Sequence, residues 1–440
     1  MCRIAQPVML ANDLLGMPGM KQRHNIAKWV ILSGILLIAL VECAWRAWGR
    51  TGQRLYDFEL LRASALLWMH GANPFALPPA SLLSQAIAVE RTPITIYPTT
   101  LLLLSPFAMV PLALAMNLWF VFSIGMVLLL IVSLVKLARW PWISPATIIF
   151  SAFVLAFGPI QSGLVAGQPL IPAASLVMLA LWAVSRHQNI LAGLLLGLAI
   201  AWKPQVGGPF LLYLLYKRQW MTGTSSLLLL AILSVAAIAP IQQRHPEWPQ
   251  TLQSNVQFVF APGHLNDFET SNLTRDHMLN LQLPVYAICP SRAVANVVAI
   301  GITLVLLVIF LFVARKSDER MMLLEYSIVA CLCLLPAYHR YYDATLLTLA
   351  ICWAIDAIKN RSSKIAWIVL APMTTFFAPV GLALTMVRNG RIPMDVQSSW
   401  WWNTIIIPAH SWILLLICIL LIAERIRIAR PQSSGAPHGD

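Results

Sequence analysis

The sequence predicts an all-α polytopic transmembrane protein with about twelve membrane helices, within a range of ten to thirteen. Of its 440 residues, 59% are apolar and 11% are charged, whereas soluble domains carry about 25% charged residues. Uncharged stretches long enough to cross a bilayer as a helix recur along the chain, among them residues 221–240, 294–313 and 404–423. The alternation of apolar and polar residues that marks barrel strands is absent. We therefore expect helices, because they satisfy their own backbone hydrogen bonds within lipid.

Short clusters of positive residues separate the apolar stretches and predict which loops are cytoplasmic. The clusters are Lys136/Arg139, Arg186, Lys217/Arg218, Arg315/Lys316/Arg320, Lys359/Arg361/Lys364 and Arg425/Arg427/Arg430. Residues 1–28 and 425–440 are also expected to be cytoplasmic, which leaves residues 29–424 as the transmembrane domain. The segments predicted to reach the opposite face are 49–97, about 159–169, about 202–205, 241–292, 338–343 and 388–402. We expect a multi-pass protein of the cytoplasmic (inner) membrane.

Two apolar regions do not fit a simple succession of straight helices. Residues 98–136 contain Pro106 and Pro111, which predict a kinked or re-entrant piece before a crossing at 112–135. Residues 190–216 must leave and return within 27 residues, interrupted by Lys203-Pro204, which predicts two half-length helices. Irregular backbone at membrane depth survives only inside protein or beside a cavity, and broken helices often line substrate sites.

The first outer loop carries the acidic residues Asp57 and Glu59 directly after the first apolar run. If a helix begins near Asp57 and lies along the outer surface, its apolar face is formed by Leu60, Leu61, Ala65 and Trp68. The charges can then be simply the wet side of that helix. Alternatively, a carboxylate at the membrane surface can act as general base on a hydroxyl.

Polar residues at later outer turns suggest an anion site. Lys203 lies at a helix break in apolar surroundings, where a cation either lines a cavity with an anionic partner such as phosphate or snorkels to the interface. His339 and Arg340 could hydrogen-bond phosphate oxygens, or form a structural ion pair with Asp343. Gln168, in "VAGQP", could serve only to satisfy backbone groups.

Several classes of site and partner are not indicated. The outer loop 241–292 is rich in His and acidic residues, His277 among them, but lacks metal-ligand spacing; we read it as an acceptor-facing or lid loop.

No Walker motif, no GxGxxG opening a soluble α/β unit and no Gly-x-Ser-x-Gly occurs, so no cofactor is expected, and a metal requirement is left open. The net charge of +13 does not indicate nucleic acid, because the cations lie in loops and not on a basic–aromatic face.

Several segments occur in an order typical of one enzyme family. After the acidic pair come "GANPF" (71–75), "ITIYPTTLLLLSPFAMVP" (94–111), "SGLVAGQPLIPAASLVMLALWAV" (162–184), "LAGLLLGLAIAWKPQVGGPFLLYLLYKRQW" (191–220) and "PAYHRYYDATLL" (336–347). Over residues 50 to 350 the chain resembles the polytopic membrane glycosyltransferases of family 87. These belong to the GT-C superfamily, which includes polyprenyl-phosphate-mannose-dependent mannosyltransferases.

The resemblance implies a role for each candidate site residue. Residues 29–424 would be a transmembrane glycosyltransferase domain with a GT-C-like first outer loop that carries a surface helix. The implied catalytic residues are Asp57, as general base, and Glu59, as its motif partner; the implied ligands of the donor phosphate are Lys203, His339 and Arg340; the implied substrate contacts are Asn73, Tyr97, Gln168 and His277. The chain departs from the family's YPP-like segment at Thr99 and from its Gly-Gln-x-Asn pattern at Leu170.

The implied reaction moves a sugar, mannose or another hexose or pentose, from a polyprenyl-phosphate donor to an acceptor hydroxyl with inversion. The acceptor would be a lipid-linked or cell-envelope glycan at the outer (periplasmic) face, and membrane lipids would be further partners. The alternative is a lipid or glycolipid transporter or flippase without catalysis. Such proteins usually show internal symmetry between halves, and the motifs of the first half have no counterparts in the second. A structural membrane subunit and an oligosaccharide polymerase or ligase are further alternatives.

Overall fold

The computed structural model describes residues 18–49, 55–85, 88, 92–272, 274–315, 321–361, 363–378 and 381–429. In these residues the chain is helical, with an isolated antiparallel bridge between Met278 and Arg340, so the predicted all-α class is confirmed for this part of the chain. The first helices are α1 Pro18–Gly49, α2 Tyr56–Met69, α3 Pro98–Ala108, α4 Leu112–Leu137, α5 Pro145–Ala156, α6 Gly158–Ala166, α7 Leu170–Ser185, α8 Asn189–Trp202 and α9 Pro204–Tyr216.

The second half of the chain continues the bundle with further helices and short turns. The helices are α10 Trp220–Arg244, α11 Trp248–Val259, α12 Gln282–Ile288, α13 Arg292–Val313, α14 Met322–Leu334, α15 Thr348–Arg361, α16 Lys364–Met373, α17 Leu382–Arg388, α18 Met394–Ser398 and α19 Ala409–Ala429. The 3₁₀ turns are Ala80–Leu82, Arg275–His277, Tyr341–Leu347 and Thr374–Phe377, and a π-helical turn spans Trp402–Ile406.

Fewer helices than expected are long enough to cross a membrane unbroken. Among the described residues five qualify by length and apolar character, namely α4, α10, α13, Tyr341–Asn360 and Lys364–Arg388. The pair α5 and α6, bent by 48°, would be a sixth if it forms one span. Shorter apolar helices include α3, α7, α8, α14 and Trp29–Trp45. A multi-pass helical membrane protein is therefore supported, and the expected count of about twelve crossings is not confirmed.

Both irregular regions have the predicted breaks. In the first, α3 is separated from α4 by a turn that ends at Pro111, the residue before α4. In the second, α8 ends at Trp202, Lys203 is extended (φ −156°, ψ 93°), and α9 begins at Pro204. Since proline has no N–H, it is tolerated at the first position of a helix and favours this break.

The carbonyl groups exposed by the second break are satisfied from α3. The last turn of a helix leaves carbonyls without intrahelical partners. The Thr99 hydroxyl donates to the Ala201 carbonyl at 2.8 Å, and the Thr100 hydroxyl lies 3.1 Å from the Trp202 carbonyl and 3.3 Å from that of Ala201. The residue at which the chain departs from the YPP-like pattern, Thr99, thus supports the break between α8 and α9.

The predicted helix in the first outer loop is present as α2, and of the two alternatives left open above, the one in which its charges form a wet side does not hold. Residues 58–65 are all buried, including Glu59 and Arg62. The Arg62 guanidinium donates to the Val110 carbonyl at 2.6 Å and the Phe107 carbonyl at 3.3 Å. Phe58 stacks on Trp119 of α4 at a centroid distance of 4.8 Å. These contacts pack α2 against α3 and α4. The charged groups of α2 tolerate burial there because they are hydrogen-bonded.

Predicted cytoplasmic clusters meet at one end of the bundle. Glu325, on α14, is buried and accepts hydrogen bonds from Arg425 at 2.9 Å, from Lys217 at 3.3 Å and from the Tyr213 hydroxyl. Arg425 is a buried residue of α19. A buried acid is tolerated where cations and hydroxyls satisfy its oxygens, and this one holds the ends of α9, α14 and α19 together.

Candidate active site

Five of the six segments predicted to lie on the outer face meet around one cavity of about 160 Å³. Its lining includes Asp57, Tyr97 and Thr100 from the first part of the chain, Gln168 and Pro169 after α6, Trp202, Lys203 and Gln205 at the helix break, Leu265 and Asn266 in the long outer loop, and Tyr338, Arg340 and Tyr342 before α15. The cavity thus contains a carboxylate and two cations from distant parts of the sequence.

Asp57 occupies the first turn of α2, facing the cavity. An acidic residue is favourable there because the first turn of a helix carries a partial positive charge. The Gln168 side-chain amide donates a hydrogen bond to Asp57 Oδ2. The start of α2 is itself fixed by Leu55, whose backbone N–H donates to the Val165 carbonyl at 2.7 Å. The carboxylate is therefore held in place by both its helix and its neighbour Gln168.

Burial raises the pKa of Asp57 above its ordinary value of 3.8. The hydrogen bond from Gln168 and the positive charges of Arg340 and Lys203 lower that pKa and oppose the rise. A carboxylate whose pKa is raised by desolvation is a stronger proton acceptor than one in water. Such an environment is typical of catalytic acids and bases.

Gly167 allows Gln168 to approach Asp57. Gly167 has a φ of +72°, and a Cβ atom at this position would lie 2.6 Å from Phe58 Cβ and 3.1 Å from Leu55 Cδ2. Both the left-handed backbone and the lack of space require glycine. The close approach of the turn after α6 to the start of α2 depends on this residue.

Lys203 and His339 converge on one carboxylate, that of Asp343. Lys203 Nζ lies 2.5 Å from Asp343 Oδ1 and 4.9 Å from the centre of the Tyr342 ring. His339 Nδ1 lies 3.1 Å from Asp343 Oδ2, which also accepts from the Arg340 backbone N–H at 3.0 Å. Of the structural alternative considered above, His339 is hydrogen-bonded to Asp343, whereas Arg340 binds Asp343 through its backbone N–H and not through its guanidinium. His339 is buried behind Asp343 and is not part of the cavity lining, whereas Lys203 is.

Arg340 has unused hydrogen-bonding capacity in the cavity. One terminal nitrogen of its guanidinium donates to the Leu265 carbonyl at 2.7 Å. Its buried Nε has no hydrogen-bond partner in the described part of the chain. A buried N–H without a partner costs about 1–3 kcal/mol. An anion in the cavity would accept hydrogen bonds from the terminal N–H groups of the guanidinium, and such bonds are strong because they are charge-assisted.

Glu59 does not share the cavity with Asp57. Its carboxylate accepts hydrogen bonds from the Ser84 backbone N–H and, at 3.1 Å, from the Ser84 hydroxyl. Residues two apart on a helix are rotated by about 200° around the helix axis, so their side chains point to nearly opposite sides. Because Asp57 and Glu59 lie on the same helix, only one of them can face the cavity.

The remaining sequence candidates divide between the cavity and its surroundings. Tyr97, which is half exposed, lines it. Asn73 instead binds Thr251 at 3.2 Å and accepts from the Phe75 backbone N–H, which joins the first outer loop to α11. His277 is not part of the cavity lining. Its pKa is lowered to about 4, mainly by burial and further by the positive charges of Arg340 and Arg388.

Several cavity residues were missed by sequence reasoning. Thr100, Gln205, Asn266 and Tyr338 all line the cavity. Gln205 directly follows the Lys203-Pro204 break, so its position next to a site could have been inferred. Asn266 and Thr100 carry no comparable local signal, because their positions depend on contacts with segments far away in the sequence.

Comparison with known proteins assigns the chain to one family. The family model for glycosyltransferase family 87 matches residues 96–336, just over half of the chain. No curated protein and no solved structure matches. The matched region contains Tyr97, Gln168 and Lys203 but neither Asp57 nor Arg340.

The replacement Gly167→Ala should destabilise the protein and disturb the site. The added Cβ would force left-handed backbone on alanine and would overlap Phe58, at a combined cost of about 2–3 kcal/mol. Thermal unfolding of the purified protein in detergent should show a clearly lower midpoint. Gly208→Ala is the matched control, since a Cβ there meets nothing within 4 Å; equal midpoints for the two variants would contradict the role given to Gly167.

Proposed function

The chain belongs to glycosyltransferase family 87, and on this premise we propose that it transfers a sugar from a polyprenyl-phosphate donor to an acceptor hydroxyl of a lipid-linked or cell-envelope glycan. The observation that carries the proposal is that Asp57, Lys203 and Arg340 line the same cavity. A base and an anion site in one cavity are what attack by a hydroxyl on a sugar phosphate requires. Mannose is the sugar suggested by the family resemblance.

In the proposed mechanism Asp57 takes the proton from the acceptor hydroxyl. The acceptor oxygen forms a bond to the anomeric carbon from the face opposite the phosphate, so the configuration inverts. The bond between that carbon and the phosphate oxygen breaks, and polyprenyl phosphate leaves with the electron pair. The guanidinium of Arg340 and the ammonium of Lys203 stabilise the negative charge that builds on the leaving phosphate. Gln168 orients the carboxylate of Asp57.

Asp343 is proposed as a positioning residue for the anion site. It fixes Lys203 Nζ through its Oδ1, and its Oδ2 accepts from the Arg340 backbone and from His339. Without such a partner a buried lysine would lose much of its charge or withdraw from the cavity. In this proposal His339 acts through Asp343 and does not contact the donor, and Tyr97 and Gln168 remain the candidate substrate contacts. Glu59 and Asn73 hold the first outer loop in place.

We also propose that the cavity opens at the outer face of the cytoplasmic membrane. Two of the positively charged clusters that mark cytoplasmic loops meet outside the cavity lining, where Glu325 binds Lys217 and Arg425. A donor held in the membrane by its polyprenyl chain would present its phosphate to a cavity at the membrane surface.

Replacing Asp57 with asparagine should nearly abolish transfer. Removal of a general base typically lowers the rate by about 10²–10⁴-fold, and asparagine keeps the size of the side chain. Transfer of radiolabelled mannose from polyprenyl-phosphate mannose to membrane lipids measures the effect. Glu59→Gln is the matched control and should lose far less activity, because its carboxylate lies outside the cavity. Unchanged transfer by Asp57→Asn would refute the assignment, and no turnover by the natural protein would favour the transporter alternative.

The pH dependence of transfer should report the hydrogen bond between Gln168 and Asp57. Because that bond stabilises the charged carboxylate, it lowers the pKa of Asp57. Gln168→Leu should therefore raise this pKa, so that the acidic limb of the rate profile moves to higher pH while activity recovers at alkaline pH. Gln205→Leu, which changes another glutamine of the same cavity, should leave the limb where it is. An unmoved limb in Gln168→Leu would argue against Asp57 as the titrating base.

The native Cys289 offers a direct test of the proposed orientation. It is an exposed free cysteine in the outer loop before α13. A membrane-impermeant maleimide added to intact spheroplasts should label the protein, and Cys289→Ser should remove that labelling. Labelling that requires permeabilised membranes would instead put this loop, and the cavity with it, on the cytoplasmic side.

A further inference from the structure

A second cavity, of about 380 Å³, is lined in part by the same long outer loop as the first. It is lined by residues of the long outer loop, of α12 and of the segment before the π-helical turn, namely Phe268, Thr270, Arg275, Leu283, Tyr286, Ala287, Pro290, Ser398, Ser399, Trp400 and Asn403. The mechanism proposed above uses none of these residues. The cavity also includes the predicted outer segment 388–402, which has no part in the first cavity.

One stretch of the long outer loop, residues 266–268, contributes to the linings of both cavities and is called the shared wall here. Asn266 lines the first and Phe268 the second, and the Cα atoms of residues two apart are separated by at most about 7 Å. The wall is well fixed, because buried Asp267 binds Arg292 at 2.8 Å and the Gly263 backbone N–H at 2.8 Å. Its other side is tied to the reaction cavity through the bond from Arg340 to the Leu265 carbonyl.

The lining combines aromatic faces with planar polar groups. Phe268 and Tyr286 pack edge to face at 5.3 Å, and Trp400 is 65% exposed. Arg275 donates to the Thr270 and Asn272 carbonyls and to Asn403 Oδ1. These bonds use three of the five guanidinium N–H groups, so two have no acceptor among the described residues. No carboxylate is part of the described lining.

This combination suits a sugar ring. A pyranose has an apolar C–H face that packs on an aromatic ring and an edge of hydroxyls that accept from guanidinium and amide groups. A lipid tail would leave the two remaining N–H groups of the Arg275 guanidinium without an acceptor. A sugar phosphate would be expected where cations dominate, as they do in the first cavity.

We propose that the second cavity binds a sugar unit of the acceptor glycan that is distant from the hydroxyl being glycosylated. This inference rests on the proposed function, since the acceptor is then the molecule that extends from one cavity to the other. The second cavity selects acceptors that already carry more than one sugar unit, and it contributes affinity without touching the reacting atoms.

The test uses Trp400→Ala, with the adjacent Trp401→Ala as matched control. Both indoles are substantially exposed, but only Trp400 lines the cavity. Saturation-transfer NMR with the full chain in detergent would measure binding of two soluble probes, mannotriose and maltotriose. At least one should bind, with affinity about tenfold weaker in Trp400→Ala and unchanged in Trp401→Ala. Tyr286→Leu should weaken binding in the same way.

The outcomes separate this inference from the proposed function. Asp57→Asn should bind the trisaccharide like the natural protein although it transfers no sugar. If the natural protein binds a trisaccharide through Trp400 but shows no transferase activity, the glycan site is supported and the enzyme proposal is refuted. Failure of both trisaccharides to bind, or equal affinity of Trp400→Ala and Trp401→Ala, would overturn the site.

Discussion

The buried ion pair between Lys203 and Asp343 is the interaction on which the organisation of this molecule depends. A lysine among apolar helices is costly unless an acid compensates it. Here the partner is Asp343, which lies 140 residues further along the chain and whose Oδ1 is 2.5 Å from Lys203 Nζ. The pair fixes the break between α8 and α9 against the turn before α15. His339 and the backbone of Arg340 are ordered by the same carboxylate, so one pairing shapes a whole side of the reaction cavity.

Around this pair, structural needs account for most of the other polar groups. Thr99 and Thr100 satisfy the carbonyls at the helix break, Arg62 binds the carbonyls at the end of α3, and Glu59 binds Ser84. Asp57 and Arg340 differ, because the described residues do not fully compensate the burial of their polar groups. Burial raises the pKa of the first and leaves the Nε of the second without an acceptor. Groups that are costly to the fold in this way are frequent at functional sites.

Sequence reasoning located the helix breaks, where the local signal was strong, but it did not determine which side chains share the cavity. Lys203-Pro204 predicted the break between α8 and α9, because proline cannot continue a helix. The pairing of Asp57 with Glu59 as catalytic residues treated neighbours in sequence as neighbours in space, but on a helix they face opposite sides. The expected count of about twelve crossings is not confirmed, and the prolines at 98, 145 and 204 begin helices of only 11, 12 and 13 residues.

The sequence by itself determined that the chain is a helical membrane protein, where its helices break, and in what order its polar turns occur. These properties follow from apolar composition, from proline and from loop charge, all of which act locally. Only the tertiary structure decided that Asp57, Gln168, Lys203 and Arg340 share one cavity, that Glu59 and His339 lie behind it, and that a second cavity is lined in part by the same long outer loop. The reason is physical, since each cavity is closed by side chains from segments up to hundreds of residues apart, and no local pattern records which of them meet.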